Sequence, residues 1–138
     1  MLGLYEKSTA SGDYIPFSFN DDISNVIKES FNSSTGAIKE RQFFIRNDDA
    51  NVSYSSITLT PLPNELVNVS ADINIKLKLG DMRPSQDEWS NVVAGASLSI
   101  PDISDTLYHS FWVRIEVRQN AAIRVEDDIY FELRAIEA

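Results

Sequence analysis

Hydrophobic and polar positions alternate with a period of two in several stretches of the chain, the mark of half-buried strands. The clearest pair lies at the C-terminal end. In His109–Arg118, Phe111, Val113, Ile115 and Val117 share one parity, and Trp112, Arg114, Glu116 and Arg118 the other. In Ile129–Ala135, the residues Ile129, Phe131, Leu133 and Ala135 alternate with Tyr130, Glu132 and Arg134. The ten residues between the two runs, Gln119–Asp128, exceed a tight hairpin loop. These strands are therefore either sheet neighbours or face each other across a core.

The upstream chain supplies strands that complete this core. Asp72–Gly80 alternates cleanly, with Ile73, Ile75, Leu77 and Leu79 inward and Asn74, Lys76 and Lys78 outward. Ala37–Arg46 is a strand centred on Phe43, Phe44 and Ile45. Asn47–Asn51 is a polar turn, because Asn and Asp bond their own main chain there. Val52–Thr60 follows, with Ile57 and Leu59 on one face, Tyr54 on the opposite parity, and Pro61 and Pro63 stopping it. Ser85-Gln86-Asp87-Glu88 reads as a capping box, which places Trp89, Val92 and Val93 on one short helix ended by Gly95. Ala96–Ile100 is a short strand before Pro101.

Residues Met1–Gly36 read differently. Phe17 and Phe19 make at most a short edge strand behind Pro16, and Ile23, Val26 and Ile27 suit one helical turn. The division predicted is an N-terminal arm or extension, 1–36, and a sandwich domain, 37–138. About six or seven short strands punctuated by Gly, Pro, Asn and Asp indicate an all-β fold. The architecture expected is a two-sheet antiparallel β-sandwich, immunoglobulin-like or jelly-roll, with one short helix. Ile75, Leu77, Val113, Ile115, Phe131 and Leu133 are its expected core.

Composition narrows the chemistry. The 138 residues fit one domain, long enough to bury about two-thirds of its unfolded surface. Cysteine is absent, which excludes a thiolate nucleophile and any Cys-based zinc site. With 21 acids against 12 bases the net charge is −9. That surface repels phosphate backbones, so direct nucleic-acid binding is not expected. No apolar run approaches the roughly 20 residues that cross a bilayer, and the N-terminus lacks the basic n-region of a signal peptide. The expectation is a soluble protein made in the cytoplasm.

No HExxH, GxSxG, P-loop or GxGxxG pattern occurs. His109 is the single histidine and stands at a strand start beside Tyr108, a position better suited to a loop or strand end than to a general base. The acidic pairs Asp21-Asp22, Asp48-Asp49 and Asp127-Asp128 are accounted for by turns and solvation rather than by calcium or paired-carboxylate hydrolysis. No catalytic residue, cofactor or metal is expected. Trp112 stands on the outward parity of a strand that otherwise alternates Arg and Glu, which suits burial or an interface better than a sugar-stacking platform.

The runs Glu40–Asp49 (ERQFFIRNDD), Tyr54…Leu59, Lys76–Asp81 with Pro84-Ser85 and Glu88-Trp89, Ser110–Val117 (SFWVRIEV) and Asp128…Leu133 resemble one group of proteins when taken together. They are similar to the small immunoglobulin-like or jelly-roll-like β-sandwich proteins of tailed-bacteriophage virions, which include head decoration (cement) proteins and accessory tail or baseplate proteins. The resemblance covers Ala37–Ala138. It implies a multi-copy structural component of the virion, synthesised in the host cytoplasm, with itself and other virion proteins such as the major capsid or tail proteins as partners. Symmetric assembly needs apolar contacts, and the candidates are Leu2, Leu4, Tyr5, Tyr14, Phe17, Phe19 and Trp112. A carbohydrate-binding β-sandwich module is the alternative of another class.

Overall fold

A computed structural model describes residues 1–18, 37–62, 73–117 and 130–138. Their order is β1 (Leu2–Lys7), β2 (Tyr14–Ser18), β3 (Ala37–Asn47), β4 (Tyr54–Leu62), β5 (Ile73–Leu79), α1 (Gln86–Ser90), β6 (Leu98–Ile100), β7 (His109–Val117) and β8 (Tyr130–Glu137). The strands form a five-stranded sheet, β2-β1-β3-β7-β5, and a three-stranded sheet, β6-β4-β8. Every pairing within them is antiparallel. The described residues thus form the expected all-β two-sheet sandwich with one short helix.

The period-2 pattern explains how the core forms. Register places Ile73, Ile75, Leu77 and Leu79 beside Val117, Ile115, Val113 and Phe111, so equal parities on β5 and β7 build one continuous apolar surface. Phe43 and Ile45 extend it across β3. The smaller sheet answers with Ile57, Leu59, Phe131 and Leu133. Phe131 meets Phe43 and Phe111 edge-on, with ring centroids 5.8 Å and 6.1 Å away. The two C-terminal strands β7 and β8 therefore lie in opposite sheets and face each other across the core.

Several expectations need correction. The described part of Met1–Gly36 is no arm. β1 lies between β2 and β3 in the large sheet, and Leu2 and Leu4 are only 2% and 1% exposed within the core. The hairpin that joins β1 to β2 is closed by Gly12, at φ +74°, whose N–H donates to the Ser8 carbonyl. Residues 19–36, with Phe19 and the helical turn expected at Ile23–Ile27, lie outside the described residues.

Tyr54 stands on the sequence parity opposite Ile57 and Leu59, yet it joins the same core. A bulge between Ser55 and Thr58 inserts one residue opposite β8, and Ser56 there has φ +50°. One extra residue flips the side-chain parity beyond it. β4 also runs through Pro61, which pairs with Phe131. β6 pairs only as far as Leu59, so Pro61 lies on a stretch with one bonded neighbour, where a missing N–H is tolerated. Ala135, expected inward, is exposed.

The capping box is present, with Ser85 Oγ accepting from the Glu88 N–H and Glu88 accepting from the Ser85 N–H. The helix stops earlier than expected, at the C-cap Asn91. Trp89 is fully buried, but Val92 is half-buried and Val93 is exposed. Gly95 instead donates its N–H to the Ile75 carbonyl at 2.7 Å. It covers the outer edge of β5, a site that an unprotected sheet leaves open to pairing. Among the described residues no helix is long and apolar enough to cross a membrane.

Candidate functional site

The outward face of the large sheet carries two side-chain layers. The first gathers around Tyr5 of β1 and Phe44 of β3, which are register partners. Tyr14 packs edge-on against Phe44 at 4.9 Å and stacks on Tyr108 at 3.6 Å between ring centroids. Arg46 lies over the Tyr108 ring at 5.0 Å and donates from Nε to the Thr106 carbonyl at 2.8 Å. Lys7 lies 5.3 Å from the centre of the Tyr14 ring. Burial pushes the Tyr5 hydroxyl pKa up, against the lowering effect of a hydrogen bond with Arg46. Such ring and cation contacts are favourable mainly when partly desolvated. Here they fasten the segment leading into β7 onto the sheet.

The second layer is ionic. Arg114 and Glu40, register partners on β7 and β3, have side chains only 6% and 7% exposed and are joined Nη1 to Oε1 at 3.3 Å. Arg83, from the turn before α1, also reaches Glu40. Arg114 Nε lies 3.4 Å from Glu116 Oε2, an ion-pair distance without hydrogen-bond alignment. Lys76 pairs with Glu116 at 3.4 Å and donates to the Trp89 carbonyl at 3.2 Å. The helix segment is thereby tied to this layer. Buried charges this close hold together only as a set.

A third feature is a cleft of 280 Å³ at one end of the sandwich, between the ends of β5 and β6 and the start of β7. Ile100 and Ile103 are buried beneath it, and the exposed Asp81 and Asp102 line it together with His109. His109 Nε2 lies 2.8 Å from Asp105 Oδ1. That hydrogen bond, and a second from the Leu107 N–H, hold the Asp105 carboxyl below its usual range. The neighbouring hydroxyl, Ser110, belongs to the other strand face and accepts from Gln42 Nε2 at 2.6 Å. His109 thus has an acid partner, Asp105, and the pair braces the loop that leads into β7.

The sequence-predicted interface residues are dispersed. Leu2 and Leu4 are core residues, and Tyr5 is buried under the aromatic layer. Tyr14 is half-buried in that layer. Trp112 is half-buried beside Gln42 and Lys78, with its Nε1 enclosed and without an acceptor among the described residues. Phe17 lies on β2, and its side chain, like all of Phe19, falls outside the described residues. Among the acidic pairs, Asp48-Asp49 sits in the turn expected of it. The Asp49 N–H donates to Asn47 Oδ1 at 3.0 Å and the Asn51 N–H to Asp49 Oδ1 at 2.9 Å. Asp21-Asp22 and Asp127-Asp128 lie outside the described residues, among which no three His, Asp or Glu side chains gather as a metal site.

Comparison of the chain with protein-family models, with curated proteins and with solved structures finds no match in any of the three. No contiguous motif marks the cleft or the aromatic layer, because each draws on separate segments. The local signals were the strand-end breakers Gly80 and Pro101, each followed directly by an aspartate.

Proposed function

We propose that the protein is a non-enzymatic structural component of a tailed-bacteriophage virion, in the first place a decoration or cement protein on the capsid surface. A tail, neck or baseplate accessory position is the alternative placement. One observation carries the reading. Two of the stretches that carry the resemblance to virion sandwiches, Glu40–Asp49 and Ser110–Val117, are largely hydrogen-bonded neighbours within the large sheet. They supply the scaffold on which the other strands are laid. The acidic surface suits a position outside packaged DNA, where phosphate contact is not needed. Met82 at 86%, Val93 at 71% and Leu107 at 64% exposure offer apolar contacts to capsid or tail proteins and to further copies.

The carbohydrate-binding alternative has less support. Sugar stacking needs an open indole face, and Trp89 is fully buried while Trp112 is half-enclosed. A glycan array is expected to stay blank, with tryptophan fluorescence unchanged.

The deciding experiment uses the full chain. Multi-angle light scattering is expected to show multimers, and sedimentation with purified phage particles is expected to carry the protein into the pellet. A protein that stays monomeric and never sediments with particles is not a virion component, and the proposal fails.

A further inference from the structure

We infer that the cleft at the sandwich end is a binding site for one cationic side chain, lysine or arginine, presented by a basic segment of a partner protein. This inference goes beyond the virion reading and does not depend on it. The floor is apolar, made by Leu79 and the buried Ile100 and Ile103. Two acidic residues, Asp81 and Asp102, line the cleft and are exposed. Among the described residues no Lys or Arg lines the cleft, and the histidine in its wall, His109, already bonds Asp105.

The walls are held in place before anything binds. The Gly80 N–H donates to the Ser110 carbonyl at 3.1 Å, and Ile103 exchanges two main-chain hydrogen bonds with Tyr54, both 2.9 Å. A pre-formed site avoids ordering costs on binding. Lysine and arginine match it by their amphipathic build: the methylene stem covers the isoleucines while the charged head reaches the aspartates. An anionic group meets two carboxylates and a chain of net charge −9. A neutral aliphatic side chain fits the floor and leaves the aspartates unused.

The test is a ¹⁵N NMR titration of the full-length protein with blocked tripeptides Gly-Lys-Gly and Gly-Arg-Gly. The norleucine and glutamate analogues serve as controls. Cationic peptides are expected to move the amides of Gly80, Asp102, Ile103 and Ser110 saturably, and added salt is expected to reverse the shifts. Glutamate is expected to leave them still. Each exposed ion pair contributes about two- to fivefold in affinity, so the Asp81→Asn/Asp102→Asn double variant is expected to bind about tenfold more weakly. Both aspartates are exposed, so the rest of its spectrum is expected to match the parent. The site is refuted by still amides with both cationic peptides, by equal shifts with norleucine, or by undiminished binding in the double variant. The experiment contains no particles, so its failure leaves the virion proposal standing, and the reverse holds too.

Discussion

At the scale of single residues, strain and buried charge concentrate in two places. Ser56 is the one non-glycine residue with positive φ among the described residues, and a Cβ in that region costs about 1 kcal/mol or more. Ser56→Gly is expected to keep the bulge and gain about 0.5 kcal/mol in urea unfolding, whereas Ser56→Val is expected to lose about 1–2 kcal/mol. Arg114→Ala is the harsher change. Among the described residues it leaves the Glu40 carboxylate, 7% exposed, with only the largely exposed Arg83 as a partner. The expected loss is about 3 kcal/mol, because an uncompensated buried charge costs more than the pair contributes. The same logic gives the sign of a pH effect at Asp105. Its folded pKa is depressed below 3.8, first by the His109 hydrogen bond. The linked stability is therefore present above the unfolded value and lost as pH falls through the folded one. NMR signals of Leu107 and Tyr108 are expected to report release of the loop on acidification below about pH 4, and His109→Ala is expected to move that transition to higher pH.

At the scale of elements, β1 is the strand on which the reading of the N-terminus turns. An arm can be removed without loss. A strand that contributes Leu2 and Leu4 to the core and pairs along both edges cannot. Deleting residues 1–18 is therefore expected to abolish the cooperative thermal transition, and Leu4→Ala alone to cost about 2–5 kcal/mol. A truncated chain that still melts cooperatively at the parent temperature contradicts the integrated hairpin. β5, β7 and β8 were legible because each buries one face and shows the other to a polar layer or solvent, so period 2 survives in the sequence. β1 was not. Leu2–Tyr5 is buried on both faces, the inner against the core and the outer under Tyr108, and so reads as a short apolar run. The capping box fixed the start of α1 because it is local chemistry. The bulge at Ser56 left no mark, since serine is not a residue that announces positive φ. Which sheet each strand joins, and hence which loops meet at the cleft, depends on crossovers that spacing does not encode.

At the scale of the whole molecule, the net charge of −9 sets two associations against each other. Copies of the same acidic chain repel. Their assembly through apolar contacts such as Met82 and Val93 has to overcome that repulsion, which salt screens over a Debye length of about 10 Å at 0.1 M. Contact between the acidic cleft and a basic segment is attractive, and the same salt weakens it. Raising ionic strength from about 0.02 M to about 0.5 M is therefore expected to move the two in opposite directions. Sedimentation velocity of the protein alone is expected to shift towards larger species, while the NMR shifts produced by the lysine peptide shrink. Met82→Asp with Val93→Asp adds charge to the apolar contact and leaves the cleft untouched. That variant is expected to lose the salt-promoted species and to keep the peptide shifts. If salt disperses the multimers of the parent protein instead, ionic contacts hold the assembly, and the exposed apolar side chains are not its interface.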